Sequence, residues 1–169
     1  MNLKTGLPKR KPTRLKEYDY STPGAYFITI CTKDRKELLS EIIVGDDAHI
    51  VPEYRLSDYG LTCEKYINNI NTAYKNVKVD KYVIMPNHVH LIITIDGTMW
   101  ASSPTNNIVD IVRTFKTLVT KEIGTPIWQR SYHDHVIRGE KDYLKIWEYI
   151  DTNVLKWELD CFYNNETEL

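Results

Sequence analysis

The sequence predicts an α+β domain built on one antiparallel sheet. Three observations predict it. Runs rich in β-branched and aromatic residues occupy 24–32, 77–85 and 88–95. Apolar stripes at helical spacing occupy 57–75, 107–123 and 140–157. Proline- and glycine-bearing breaks separate these segments.

The first strand, GAYFITICT (24–32), follows a Pro23-Gly24 breaker. A short second strand is expected near Ile42–Val44, and a loop through GDDAHIVPEY (45–54). Ser57 can cap the first helix, because its hydroxyl can accept from a first-turn amide. Tyr59, Cys63, Tyr66, Ile67, Ile70 and Tyr74 form that helix's stripe. VKVDKYVIM (77–85) and HVHLIITI (88–95) are two strands, and the short Pro86-Asn87 connection makes them a hairpin. DGTMWASSPTNN (96–107) reads as a loop. The helix over 107–123 carries Ile108, Ile111, Val112, Phe115, Leu118, Val119 and Ile123, and Gly124 can close it. A last strand lies within PIWQRSYHDHVIR (126–138), and a third helix spans 140–157. The order β(β)αββαβα contains βαββαβ, the ferredoxin-like plan. It places helices on one sheet face and adds a C-terminal helix.

With 169 residues the chain is long enough for one domain with a real core. The expected division is a flexible basic arm (1–16), a single domain (17–160) and a polar, fraying tail (161–169). Net charge is −1, so the protein is not globally basic. The arm nevertheless holds Lys4, Lys9, Arg10, Lys11, Arg14 and Lys16 with no acid. It can meet phosphates, though the same composition also fits a solvated terminus. No apolar run approaches the ~20 residues of a membrane span, and the N-terminus lacks a signal core. Cys31, Cys63 and Cys161 are odd in number and widely spaced, which argues against a disulfide framework and for a reducing, cytoplasmic setting.

Chemistry concentrates in YVIMPNHVHLIITI (82–95). On a strand, His88, His90, Ile92 and Thr94 face one way, and Val89, Leu91, Ile93 and Ile95 the other. The two imidazoles, with Cβ atoms roughly 6.5–7 Å apart, can converge on one metal ion or simply pack as rings. SYHDH repeats the spacing at His133 and His135. Four histidines would make a zinc site; Arg130 and Arg138 beside the second pair favour instead an anion-facing strand. On the third helix, Tyr143, Ile146, Trp147, Ile150 and Val154 form the core arc. Tyr149 stands at the edge of this arc, and Asn153, one turn later, lies on the same side.

HVH (88–90), followed by WQRSYHDHVIRGEKDYLKIWEYIDTNVLKW (128–157) and led by RLKEYDYSTPGAYFITICT (14–32), resembles the HUH single-tyrosine transposases of bacterial insertion sequences. It looks most like their REP-associated tyrosine branch. The resemblance implies single-strand DNA cleavage and rejoining through a covalent 5′-phosphotyrosine. It implies Tyr149 as nucleophile, with Mg²⁺ or Mn²⁺ held by His88, His90 and Asn153. Many relatives carry Asn-Pro where this chain has Asn153-Val154. The partners it implies are single-stranded or hairpin DNA and a second copy of the chain, with the tyrosine helix serving either subunit's histidines. Candidate DNA contacts are Lys9, Arg10, Lys11, Arg14, Arg130, Arg138 and Lys156, with Arg113 and Lys116 as possible additions. Two other readings stay open: a non-catalytic nucleic-acid-binding module on the same fold, and a zinc protein using both His-x-His pairs.

Overall fold

The structure is a computed structural model that describes residues 15, 17–43, 52–97 and 107–163. The arm residues Lys4, Lys9, Arg10, Lys11, Arg14 and Lys16 lie outside them. Four strands, β1 (Gly24–Cys31), β4 (Val77–Ile84), β5 (His88–Ile95) and β6 (His133–Ile137), form the main sheet in the order β4-β5-β1-β6. Every neighbouring pair is antiparallel, as the βαββαβ plan requires.

Helices α1 (Asp58–Ala73) and α2 (Ile108–Ile123) cover one face. Tyr26, Ile28 and Ile30 of β1 and Val89, Leu91, Ile93 and Ile95 of β5 point there, into a core shared with Ile67, Ile111, Phe115 and Val119. Both predicted caps are present. Ser57 Oγ accepts from the Gly60 amide, and Gly124 closes α2 in the left-handed conformation at φ 80°. Gly60 itself is required by close approach: a Cβ there would sit 2.0 Å from the Leu39 carbonyl oxygen.

The segment before α1 differs from expectation. A separate two-stranded ribbon pairs β2 (Ser40–Ile43) with β3 (Glu53–Leu56), and β3 begins inside the expected loop. Its residues are mostly exposed, so no apolar alternation marks it; backbone pairing and the Tyr54 hydroxyl on the Ile84 carbonyl (2.7 Å) hold it. Residues 98–106 of the second expected loop lie outside the described residues.

The opposite sheet face carries α3 (Glu140–Thr152). Ile146 and Ile150 pack there on Ile92, with Phe27, Val83 and Ile137 around them. A bulge between Val79 and Lys81 interrupts β4. Asp80, at the bulge, accepts from Thr94 (2.6 Å) and from the Tyr143 hydroxyl (3.0 Å), while Lys81 pairs with Asp151. These polar ties latch α3 to the sheet. The helix ends earlier than its sequence stripe suggests. After Asn153 the chain tightens into a 3-10 segment, Val154–Leu159, which buries Trp157 beside His88. Among the described residues, no helix is long and apolar enough to cross a membrane.

Candidate active site

Strand β5 brings His88 and His90 to the α3 face, fully buried at 0% and 1% exposure. Each ring is tied at its far nitrogen. Asn87 Nδ2 donates to the Phe162 carbonyl (2.7 Å), which turns Asn87 Oδ1 toward His88 Nδ1 (2.8 Å). An amide oxygen only accepts, so His88 carries its proton on Nδ1 and presents a bare Nε2. His90 Nδ1 lies 2.8 Å from Thr29 Oγ1 on the neighbouring strand. The two Nε2 atoms are 3.0 Å apart.

Helix α3 sets Tyr149 over this pair. Its hydroxyl is 3.2 Å from His90 Nε2 and donates to Asp160 Oδ2 at 2.9 Å. Asn153 Nδ2 donates to the same carboxylate oxygen (3.0 Å). Asn153 is 2% exposed, and its Oδ1 has no partner among the described residues. Thus the rim position seen on the helix places Tyr149 beside His90 and brings Tyr149 and Asn153 to the same oxygen of Asp160.

Asp160 is the residue that sequence reasoning missed. The 3-10 segment turns the chain back, and the Phe162 amide caps Asp160 Oδ1 (2.7 Å), a local turn in which the side chain bonds its own backbone two residues on. An acid seven residues after Asn153 was the only signal, and the reversal that brings it home leaves no periodic trace. Phe162, which falls in the expected polar tail, packs at a tilt against His88 at 4.6 Å between ring centroids and lies beneath Arg35. Residues 164–169 lie outside the described residues.

The electrostatics follow from burial. Desolvation foremost pushes His88 down to about 4, with Asp160 opposing and Arg35 reinforcing the shift. Burial first, and the neighbouring His88 second, hold His90 well below the usual imidazole range. Both rings are therefore uncharged near neutral pH. Burial, then the Asp160 charge, holds the Tyr149 phenol above its ordinary value; the contact with Asn153 acts the other way.

This donor set suits a cation. Single ligand atoms of His88, His90 and Asp160 lie within 4.8 Å of one another. Nitrogens 3.0 Å apart match adjacent corners of an octahedron with bonds of about 2.1 Å. The second bonds from Asn87 and Thr29 are the kind that orient metal-binding imidazoles, and the orphaned Asn153 oxygen is a further donor.

The second histidine pair does not join. His133 of β6 pairs with Thr29 of β1, whose other neighbour is His90 of β5, and His135 Nε2 binds Asp142 (2.8 Å). A four-histidine zinc site is not assembled, because β1 stands between the pairs. The predicted DNA contacts are dispersed. Arg130 is exposed before β6, Arg138 is exposed at the start of α3, and Lys156 is exposed on the 3-10 segment.

Residues 20–153 match the family profile described as transposase, IS200-like. An uncharacterized protein of Haemophilus influenzae is 37% identical, over 94% of this chain and 95% of that one. A second protein of that organism, named as a candidate REP-associated tyrosine transposase, is 28% identical over 82% of this chain and 74% of its own. The solved structure of a REP-associated tyrosine transposase bound to a REP hairpin shares the fold. Its TM-score is 0.62 at 21% identity, over 85% of this chain and 73% of that one.

Proposed function

The chain belongs to the IS200-like transposase family, whose business is DNA transposition, and on that premise we propose that it cuts and rejoins single-stranded DNA through a covalent tyrosine intermediate. The observation that carries this reading is the Tyr149 hydroxyl lying 3.2 Å from His90 and 2.9 Å from Asp160. His88 and His90 would hold Mg²⁺ or Mn²⁺, with Asp160 and Asn153 as oxygen donors. Such an ion, when bound, draws charge from a non-bridging phosphate oxygen and stabilises the charge that develops there.

The chain's own groups supply the rest. Tyr149 attacks phosphorus; its O–P bond forms as the bond to the 3′ oxygen breaks. The phenol proton leaves along the existing hydrogen bond to Asp160. The leaving 3′ oxygen takes up a proton and becomes a hydroxyl, while the 5′ phosphate stays on Tyr149. Attack by another 3′-hydroxyl reverses the step and rejoins the strands, so no external energy is needed. Asn153 and the Phe162 amide fix the Asp160 carboxylate. Asn87 and Thr29 fix the imidazoles. In this reading Tyr149, His88, His90 and Asp160 come from one chain, the arrangement in which the tyrosine helix serves its own subunit's histidines.

The substrate in this reading is a single-stranded or hairpin DNA, the ligand named for the structural relative. The test is to incubate the protein with labelled hairpin DNA and Mn²⁺ or Mg²⁺ and denature in SDS. A DNA–protein adduct is expected with the wild type and none with chelator or with Tyr149→Phe. Failure of the wild type to form an adduct with hairpin strands that it binds would favour the non-catalytic binding module.

A further inference from the structure

A second feature lies on the other side of the sheet from the histidines. One stripe of α2, running from Val109 through Val112, Arg113, Lys116, Thr117 and Thr120 to Lys121, faces the segment 126–132 across a groove of about 840 Å³. That volume falls within the ~300–1,000 Å³ range of ligand pockets. Its floor is apolar, with Val112, Pro126 and the exposed margins of the largely buried Trp128 (9%) and Tyr132 (5%). Its charged lining residues are Arg113, Lys116, Lys121 and Arg130, with no Asp or Glu among the residues that line it. Of the nearby acids, Glu122 is held by Lys65 (2.6 Å) and Tyr66 (2.7 Å) of α1, and Asp110 is paired with Arg113 on α2 itself. Lys116 reaches across to the Gln129 carbonyl (2.6 Å) and so holds the far wall.

Two further facts bear on the occupant. The sequence carries further basic residues before Leu15. Leu15 N–H donates to the Tyr20 hydroxyl (3.2 Å), and the Tyr20 carbonyl accepts from Ile108 at the start of α2 (3.2 Å). Residues 1–14 carry five Lys and Arg and no acid, namely Lys4, Lys9, Arg10, Lys11 and Arg14. The far wall also abuts the catalytic strands. Gln129 N–H donates to the Cys31 carbonyl (3.0 Å), and Cys31 is the cross-strand partner of His88.

A basic rim over an apolar floor that exposes the margins of two aromatic rings fits a polymer that is anionic along its backbone and flat in its side groups. We propose that the α2 groove is a track for single-stranded DNA, taking unstacked bases along its floor and phosphates on Lys121 and Arg130. The proposal rests on the DNA reading of the preceding section, and it adds a binding surface separate from the histidine site. It assigns Arg130 a place among the DNA contacts and brings in Lys121, which the sequence did not single out.

The test is fluorescence anisotropy with an end-labelled hairpin bearing a single-stranded flank. Chelator is present, so that cleavage plays no part. The double variant Lys121→Glu, Arg130→Glu is expected to bind at least ten-fold more weakly. The slope of log affinity against log salt should fall by about 0.7 per lost contact. Thr117→Trp, on the exposed helix surface, fills the groove without changing charge; it should weaken binding several-fold and leave the salt slope alone. Wild-type binding by both variants overturns the proposal. Loss with the reversals but none with Thr117→Trp also overturns it, since the groove is then not entered. The adduct assay at saturating DNA keeps the two readings apart. An adduct combined with unaltered variant binding removes the groove alone, and groove-dependent binding without an adduct removes the catalytic reading alone.

Discussion

The two faces of the main sheet are both buried, yet they are built on opposite principles. Under α1 and α2 the sheet shows Tyr26, Ile28, Ile30, Leu91 and Ile93, an aliphatic and aromatic filling. Under α3 it shows Thr29, His88 and His90, with Tyr149 against His90 and with Ile92, Ile146 and Ile150 as a small buried apolar cluster. Apolar burial is non-directional and tolerates many arrangements. Buried polar groups must be bonded, and each bond fixes an orientation. The first face therefore stabilises the fold, and the second spends part of that stability on aiming two imidazoles, a phenol and a carboxylate at one point.

That contrast can be broken most sharply by removing one of the two buried imidazoles. His90→Ala should lower DNA cleavage on the order of 10³-fold, since the stabilisation it helps to hold is worth several kcal/mol. Thermal unfolding should move far less than activity. Truncation on the other face should do the reverse. Ile30→Ala, at a site with 0% exposure, should cost about 2–5 kcal/mol of stability, read from denaturant midpoints. Ile146→Ala, at the edge of the smaller cluster, should fall at or below the low end of that range.

Finer changes sharpen the comparison. Asn87→Ala frees His88 Nδ1 while leaving both imidazoles in place. It should weaken Mn²⁺ binding about 10–100-fold by calorimetry. The smallest expected effect is on stability against pH. Burial lowers His88 from 6.5 to about 4, so the unfolded chain takes up a proton before the folded one does. Its contribution is full above about pH 6.5 and is lost as pH falls toward 4. Unfolding midpoints in chelator should therefore decline over that window, and His88→Gln should flatten the decline.

Much of the first face was legible in the sequence. Period-two and 3.6-residue patterns record which side chains an element buries, so the four sheet strands, three helices and both caps are found close to where they stand. The β2–β3 ribbon was only half legible, because an exposed ribbon buries no face. The second face was legible where a pattern broke: imidazoles on an apolar strand, and a tyrosine–asparagine turn at the rim of a helix stripe. Asp160 and Phe162 escaped because the 3-10 reversal after Asn153 is set by the tertiary burial of Trp157 and the tertiary bond from Asn87 to Phe162, with only the short Asp160–Phe162 turn being local. The α2 groove escaped for a related reason. Lys121 and Arg130 are far apart in sequence, and only the crossing of α2 over the segment before β6 places them on one rim.

The most direct test of the account is the position of the covalent bond. The DNA adduct formed with Mn²⁺ should be trimmed with nuclease, digested with protease and mapped by fragment mass spectrometry. The account predicts a nucleotide 5′-phosphate on Tyr149, the tyrosine that stands over His88 and His90. A nucleotide on any of the other eleven of the chain's 12 tyrosines, or on a serine, would contradict it.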